Sequence, residues 1–438
     1  MTTTTSTATS YYRFKPWNVG RIVIWSLFAL ILIVAPLVFT SSLALTMLSQ
    51  IGYLIIICLS YNILLGQGGM LSFGHAVYTG LGAYVAIHAL NMAGDGSLPI
   101  PVSLIPMVGA LGGMFFAALL GYVTVRKSGT PFAMITLGIG ELVFAMSLMF
   151  SGFFGGEAGV SSNRVVGQAV MGITFGPPRQ LYYLIAIYTF LSVLGMYAFT
   201  QTPLGRVLNA VRDNPERVEF VGYSAERVRY FSFIVSGFFS GVAGGLAALL
   251  FELVTAEVVG AVRSGSYLLF TFLGGATIFF GPIIGGVLMV LASVLLSEWT
   301  NAWLLYLGLV FVFMVMYAPG GIASLIMMLV RVAKHGYMGR VAPKLLIAAV
   351  GGVVAFVGAA IMIEMVYHLQ LATAIGDEVK IFGMMLHAKQ MGSWLGAAVV
   401  FLVGAVWFEW ARRRLAVVWH EVHTEMEAAA NAQQGVVA

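Results

Sequence analysis

Polar side chains interrupt a long apolar stretch near the start of the chain. Six glycines between Gly66 and Gly82 are interspersed with them. In a bilayer, a broken helix and side-chain amides are tolerated only where protein or a water-filled cavity satisfies their hydrogen bonds. These polar residues are therefore candidates for a solute pathway: Asn62, Gln67, Ser72, His75 and Tyr78. The alternative is close helix packing through the small residues, with the amides and the histidine satisfied between helices.

A second candidate is Glu141, which lies deep in an apolar run that also contains Thr136. A carboxylate at membrane depth costs at least ~2.5 kcal/mol on insertion scales, so it usually faces a bundle interior with a partner. Glu141 could relay a proton or contact a substrate, and we group Thr136 with it as a pathway candidate. A structural hydrogen bond, made in the protonated form, is the alternative interpretation.

The third candidate is the hydrophilic loop 202–229, which is rich in arginine and acidic residues. Asn214 can cap a short helix whose first residue is Pro215, and Gly222 can end it. This pattern predicts a short helix with charged and apolar faces at the membrane surface. It is either a solvated loop or a docking helix for a cytoplasmic partner. The candidate coupling residues are Arg206, Arg212, Asn214, Glu216, Glu219 and Gly222.

The sequence contains no catalytic constellation. Its seven histidines are scattered, without a His-Glu-x-x-His motif or a paired Cys/His spacing for a metal. No Gly-Lys dipeptide occurs, so the chain has no P-loop and cannot itself use ATP through a Walker site. We therefore expect a protein that is not an enzyme and that holds no metal or cofactor of its own.

The elements that must position these residues are membrane helices. Apolar residues make up 60% of the 438 positions and charged residues only 9%, against roughly 25% in soluble domains. Residues 22–94 contain no Asp, Glu, Lys or Arg, which is enough for about three crossings. We predict an all-α polytopic membrane protein with twelve segments, some of them half-helices or re-entrant pieces: 22–40, 44–65, 71–91, 103–125, 131–151, 180–201, 230–251, 266–280, 282–297, 303–325, 345–367 and 391–411.

The basic residues indicate how these segments are oriented. With the N-terminus inside and the sides alternating, all but five of the 22 basic residues fall on the inside. The five exceptions are Arg164, Arg179, Arg263, Lys380 and Lys389. This asymmetry follows the positive-inside rule and places both termini in the cytoplasm. The net charge of +5 is thus explained by topology, and we do not expect nucleic-acid binding.

The charge pattern also divides the chain. We expect a cytoplasmic N-terminal tail at 1–21, followed by a transmembrane core of about ten segments at 22–330 that contains the loop 202–229. A basic cytoplasmic linker at 331–344, an extra transmembrane hairpin at 345–411 and a cytoplasmic tail at 412–438 complete the chain. The first apolar run resembles a secretory signal, but we expect it to be retained as an anchor because another crossing follows immediately.

Several motifs in fixed order carry a family resemblance. They are Asn62…Gly66-Gln67-x-Gly-x-Leu-Ser72-x-Gly74-His75-Ala-x-Tyr78, Pro131-Phe-Ala-Met-Ile-Thr136-Leu, Gly205-Arg206-x-Leu-x-Ala-Val-Arg212-Asp-Asn214 with Gly222, Ser236-Gly-Phe-Phe-Ser-Gly241, Gly281-Pro282-Ile-Ile-Gly285 and Tyr317-Ala-Pro319-Gly-Gly-Ile322. Over about residues 40–325 the chain resembles the permease subunits of ABC importers for branched-chain amino acids, hydrophobic amino acids and amides, and most closely their larger, M-type subunit. The part after 331 departs from that pattern.

The resemblance implies a bacterial inner-membrane importer. Its pore would be shared with a second, homologous permease, two ATPase subunits would bind ATP and Mg²⁺ below it, and a soluble periplasmic binding protein would deliver the solute. Glu216 to Gly222 match the stretch where such permeases carry the helix that enters the ATPase. The family's substrates include branched-chain and other amino acids, urea, short amides and aromatic acids. The alternative from another class is a proton-coupled secondary transporter using Glu141, although no internal repeat supports it.

Overall fold

The computed structural model describes residues 19–165, 174–300, 302–318, 320–371, 378–381, 384–387 and 390–435. Nearly all of them are helical, as predicted. The α-helices are α1 (Val19–Val38), α2 (Ser42–Asn62), α3 (His75–Gly94), α4 (Ile105–Thr124), α5 (Thr130–Met149), α6 (Ser151–Phe154), α7 (Pro178–Gln201), α8 (Pro203–Asp213), α9 (Pro215–Phe220), α10 (Ala225–Phe251), α11 (Ala261–Gly274), α12 (Gly281–Val290), α13 (Ser297–Trp299), α14 (Trp303–Tyr317), α15 (Gly321–Lys334), α16 (Met338–Leu371) and α17 (Met391–Gly435).

Nine helical stretches in the described part of the chain are long and apolar enough to cross a membrane, or ten if the bent pair α14 and α15 forms one span. The prediction of a polytopic helical membrane protein is therefore confirmed. Two of the twelve predicted segments fall outside this set. The helix α3 has 20 residues but carries several polar side chains, and α11 has only 14 residues.

The chain divides into two units, Met1–Gly265 and Ser266–Ala438. In the first unit, α3, α4 and α10 pack with their backbones in close approach. A Cβ atom on Gly241 of α10 would lie 2.3 Å from the Gly109 carbonyl oxygen of α4, and one on Gly244 would lie 2.0 Å from the Thr79 carbonyl oxygen of α3. Small residues at such positions let membrane helices associate through van der Waals contact, because lipid supplies no hydrophobic force between them.

A short antiparallel pair of strands joins the segment after α6 to the segment after α10. Strand β1 (Val160–Ser161) pairs with β2 (Leu253–Val254) directly after α10. The guanidinium of Arg164 donates to the carbonyl oxygens of Leu249 and Leu250 at the end of α10 and lies 3.7 Å from a Glu252 carboxylate oxygen. Arg164 therefore satisfies helix-terminal carbonyls that have no partner within the helix.

The second unit contains two long helices, α16 and α17, which extend beyond the hairpin bounds of 345–411 predicted from the sequence. The antiparallel strands β3 (Glu378–Ile381) and β4 (Met384–His387) lie between them in the chain. Glycines of α16 allow α17 to approach closely, since a Cβ atom on Gly358 would lie 2.4 Å from the Phe401 backbone nitrogen and one on Gly351 would lie 2.9 Å from that of Phe408. The two helices are therefore packed closely against each other through these glycines.

A hydrogen-bonded cluster ties α16 to the segment before α14. The carboxylate of Glu364 accepts hydrogen bonds from the Thr300 hydroxyl and, at 3.1 Å, from the Tyr306 hydroxyl. Ala302, Tyr306 and Ala360 form a buried apolar cluster beside it. These contacts give Glu364 a structural role within the second unit. The boundary expected between 330 and 331 stays a prediction.

Candidate functional site

The broken helix predicted around Gly66 is present at the end of α2. The α-helix passes into a π-helical turn, Ile63–Gln67, and a non-helical segment follows as far as α3. Gly69 has a positive φ of 65°, which glycine adopts without a steric penalty. A π-helical turn is rare and often marks a functional position in a helix.

The segment between α2 and α3 is fixed by residues predicted as pathway candidates. The Tyr61 hydroxyl donates to the Ser72 carbonyl oxygen at 2.7 Å, and the Phe73 backbone N–H donates to the Thr136 hydroxyl at 3.1 Å. Gly74 passes the α5 backbone so closely that a Cβ atom there would lie 2.3 Å from the Thr136 carbonyl oxygen. The structure thus brings Ser72 and Thr136 together.

His75 is fully buried at the start of α3 and belongs to a polar cluster among α2, α3 and α10. Its Nε2 lies 3.0 Å from the Ser60 hydroxyl and 2.8 Å from the Ser240 hydroxyl, and these two hydroxyls are 2.9 Å apart. The Ser236 hydroxyl donates to the Ser60 carbonyl oxygen at 2.6 Å. These serines were not predicted as site residues, although Ser236 and Ser240 are four positions apart and so share one face of α10.

The pathway candidates differ in how much of each side chain is exposed. Asn62, Ser72, His75, Tyr78 and Thr136 are buried within the chain itself, each with at most 2% of its surface exposed. Gln67 is half-buried. The assignment of the buried set to a pathway stays a prediction.

Glu141 differs from the buried set because its side chain is exposed on α5. Gly138, one turn earlier, has no atom near its Cβ position, and the neighbouring Leu142 is 56% exposed. The rest of the described chain therefore leaves this face of α5 uncovered in the middle of a candidate membrane span. An ionised carboxylate is unfavourable in hydrocarbon, so Glu141 is either protonated or faces a polar environment, although its exposed neighbours on α5 are apolar.

The loop 202–229 folds as two short helices, α8 and α9. The Asn214 side-chain oxygen accepts from the Arg217 backbone N–H at 3.1 Å, which is the predicted cap. The backbone N–H groups of Gly222 and Tyr223 bond to the carbonyl oxygens of Glu219 and Val218 at 2.9 and 3.2 Å, and Gly222 has φ +95°. The helix therefore ends in a glycine in the left-handed region, as expected.

The end of α9 exposes apolar side chains. Phe220 is 90% exposed and Val221 is 76% exposed. Exposed apolar side chains rimmed by polar ones are candidates for an interaction site. The charged candidates Arg206, Arg212, Glu216 and Glu219 of this loop are exposed as well. Phe220 and Val221 were not predicted, although their apolar character beside charged positions was the available signal.

Side chains of α8 contact the π-helical turn of α2. The Asn209 amide donates to the Gln67 side-chain oxygen at 2.8 Å, and an Arg212 guanidinium nitrogen donates to the Gly66 carbonyl oxygen at 2.5 Å. Gln67 and Arg212, which were predicted for two different roles, therefore belong to one contact. Asn209 was not singled out from the sequence.

Within the described ranges, no group of three or more His, Cys, Asp or Glu residues could hold a metal ion. The described side chains instead form hydrogen-bonded helix contacts, an exposed carboxylate in the middle of the α5 span and a short exposed helix, α9. These features agree with a polytopic helical membrane protein.

Comparisons with known proteins point to the same kind of protein. The family described as "Branched-chain amino acid transport system / permease component" matches residues 43–319. The chain is 28% identical over 289 residues to the high-affinity branched-chain amino acid transport system permease protein LivM of Salmonella typhimurium, covering 61% of this chain and 67% of that protein. Its identity to LivM of Escherichia coli K12 is 26% over the same coverage.

A second type of permease is also related. The probable branched-chain amino acid transport permease protein LivH of Methanocaldococcus jannaschii is 27% identical over 229 residues, covering 52% of this chain and 71% of that protein. No solved structure matches the chain. The similarity to both LivM and LivH suggests a pair of permeases. All these relatives are named as permeases, in agreement with the prediction that the chain is not an enzyme.

Proposed function

This chain belongs to the family of permease components of branched-chain amino acid transport systems, and we propose that it forms half of the pore of an ATP-driven importer. The other half is a second, homologous permease. Two ATPase subunits hold ATP and Mg²⁺, and a soluble binding protein delivers the solute. The solute is a branched-chain amino acid or a related small polar compound, and the complex lies in the bacterial inner membrane with both termini of this chain in the cytoplasm.

The observation that carries this proposal is the docking helix α9. Asn214 caps its start, Gly222 follows its end, and the side chains of Phe220 and Val221 are exposed at that end. The charge pattern puts this loop on the cytoplasmic side, where an ATPase would bind. A permease whose sequence lacks a P-loop needs such a contact to use ATP.

The solute passes along the uncovered face of α5 that carries Glu141. A carboxylate there provides a hydrogen-bond acceptor and a negative charge for an ammonium or amide group of the solute. The polar residues around His75 are buried within the chain and join α2, α3 and α10, so their role is to hold these helices together.

The proposal is tested by reconstitution. Co-expressed with the second permease, the ATPases and the binding protein, the chain should co-purify with them and support ATP-dependent uptake of a radiolabelled branched-chain amino acid in proteoliposomes. The chain reconstituted alone should take up nothing. Uptake by the chain alone, driven by a proton gradient and lost in Glu141→Gln, would instead establish the proton-coupled secondary transporter.

The docking helix is tested by Gly222→Val. A β-branched residue is strained at φ +95°, so the end of α9 should be displaced and the ATPases should no longer co-purify. Gly339→Val is the matched control, because no atom lies near the Cβ position there and its φ is not positive. Normal ATPase binding by Gly222→Val and by Glu216→Lys/Glu219→Lys would contradict the assignment of α9.

A further inference from the structure

The docking helix is connected to the membrane interior through α8. Only Asn214 separates α8 from α9. Leu208 and Val211 of α8 are fully buried, so this helix is anchored to the rest of its unit and not free in solvent. A displacement of α9 must therefore be taken up by α8 and by whatever α8 contacts.

One of those contacts is with the π-helical turn at the C-terminal end of α2. The Gly66 carbonyl belongs to the last turn of the π-helix, where carbonyls lack intrahelical partners, and Arg212 donates to it at 2.5 Å. One residue further on, the Gln67 side chain accepts from the Asn209 amide at 2.8 Å. Asn209 and Arg212 are three positions apart and so lie on one face of α8. They therefore bind two successive residues of the π-helical turn, Gln67 and Gly66.

Glycines make this contact possible. A Cβ atom on Gly69 would lie 2.8 Å from Cγ of Arg212, and one on Gly68 would lie 3.2 Å from a Leu208 methyl group. The positive φ of Gly69 turns the chain away from α2 beside Arg212. The glycine-rich segment thus lets the backbone lie directly against α8.

Above the turn, α2 reaches the polar interior of the unit. Ser60 contacts His75, and Tyr61 holds the segment that leads into α3 through the Ser72 carbonyl. A shift of the π-helical turn would therefore move the start of α3 as well as the end of α2. The route from α9 through α8 to α2 is continuous in hydrogen bonds and packing.

From these contacts we infer that Arg212 and Asn209 are positioning residues that transmit movement of α9 to the π-helical turn of α2, so that solute release follows ATP hydrolysis. This inference rests on the proposed importer function. Arg212 is exposed and its guanidinium also bonds to the Asp213 carboxylate. Its hydrogen bond to Gly66 is nevertheless a contact within this chain, whereas the sequence had placed Arg212 among the candidates for ATPase coupling. A π-helical turn can rearrange locally, which makes it a suitable receiver of that movement.

The experiment measures ATP hydrolysed per solute transported by the reconstituted complex. Arg212→Ala should keep ATPase binding and ATP hydrolysis while uptake falls about tenfold, the factor that corresponds to ~1.4 kcal/mol. Arg212→Lys, which can still donate one hydrogen bond, should recover part of the uptake. Arg227→Ala is the matched control, because Arg227 is an exposed arginine in the same loop. Only its backbone N–H, which donates to the Ser224 hydroxyl, makes the helix-cap contact, and the substitution leaves that group in place.

A double-mutant cycle provides the second measurement. Gln67→Ala and Asn209→Ala should each raise the ATP-to-solute ratio, and the double variant should be no worse than the single variants, because both remove the same contact. Additive effects would overturn the inference, as would equal losses of uptake and ATP hydrolysis in Arg212→Ala. If wild type neither binds ATPases nor shows ATP-dependent uptake, the importer function itself fails, which is a different result.

Discussion

Among the pathway candidates, Glu141 is the one whose side chain is exposed. Its carboxylate is exposed on a membrane-spanning helix. We expect Glu141→Gln to lower the initial rate of uptake by about tenfold, since a hydrogen bond to a charged group contributes ~1.5–3 kcal/mol. The measurement is uptake of radiolabelled leucine by the reconstituted complex, with assembly checked by gel filtration.

Glu157→Gln serves as the control for this prediction, because Glu157 is also exposed but lies beyond the end of α5. Its uptake should equal that of wild type. Unchanged uptake in Glu141→Gln would show that this carboxylate is not part of the solute pathway.

The cluster around His75 gives a prediction about stability. The combined change Ser60→Ala and Ser240→Ala removes both hydroxyls near Nε2. It should lower the free energy of unfolding by about 1–3 kcal/mol, the cost of leaving a buried polar group without a partner. The thermal midpoint of the detergent-solubilised protein measures this, and Ser42→Ala, at an exposed serine, should leave the midpoint unchanged. A loss of uptake with an unchanged midpoint would instead place His75 on the solute pathway.

At the scale of elements, the close packing of α4 and α10 depends on glycine. Gly241→Ala would put a methyl group 2.3 Å from the Gly109 carbonyl oxygen, and overpacking of this kind costs about 1–3 kcal/mol. We expect a lower thermal midpoint and less folded protein in the membrane. Gly308→Ala in α14 has no atom near the added methyl and should be tolerated; equal behaviour of the two variants would show that this helix contact is not tightly packed.

At the scale of the whole molecule, the hairpin of α16 and α17 should be needed for stability more than for transport. It packs on Thr300 and Tyr306 through Glu364, and the family match ends at residue 319, before the hairpin begins. Deleting 341–438 removes Val341, Val422 and Met426 and so uncovers Val332, which is buried against them. Expression or complex stability should therefore fall more than the uptake per assembled complex.

The measurement compares folded yield with uptake normalised to the amount of complex. The matched control is a deletion of residues beyond 430 only, which leaves that apolar cluster intact. A complex lacking 341–438 that assembles fully and transports nothing would show that the hairpin contacts the solute path or a partner.

The sequence by itself determined that the protein is a helical membrane protein, most of its membrane helices and the residues that cap and end the short helix α9. In a bilayer, the backbone of a continuous apolar run must satisfy its own hydrogen bonds, which it does by forming a helix. The helical membrane fold therefore followed from composition. The cap at Asn214 and the positive φ of Gly222 were also predictable, because both depend on residues within a few positions of each other.

Only the tertiary structure decided which polar residues are buried and which are exposed. His75 and Glu141 both interrupt apolar runs in the sequence, yet one is enclosed by two serines and the other is uncovered. Likewise, nothing local connects Gln67 with Asn209. The physical reason is that which face of a helix is covered depends on its neighbours in space, and these are brought together from distant parts of the chain.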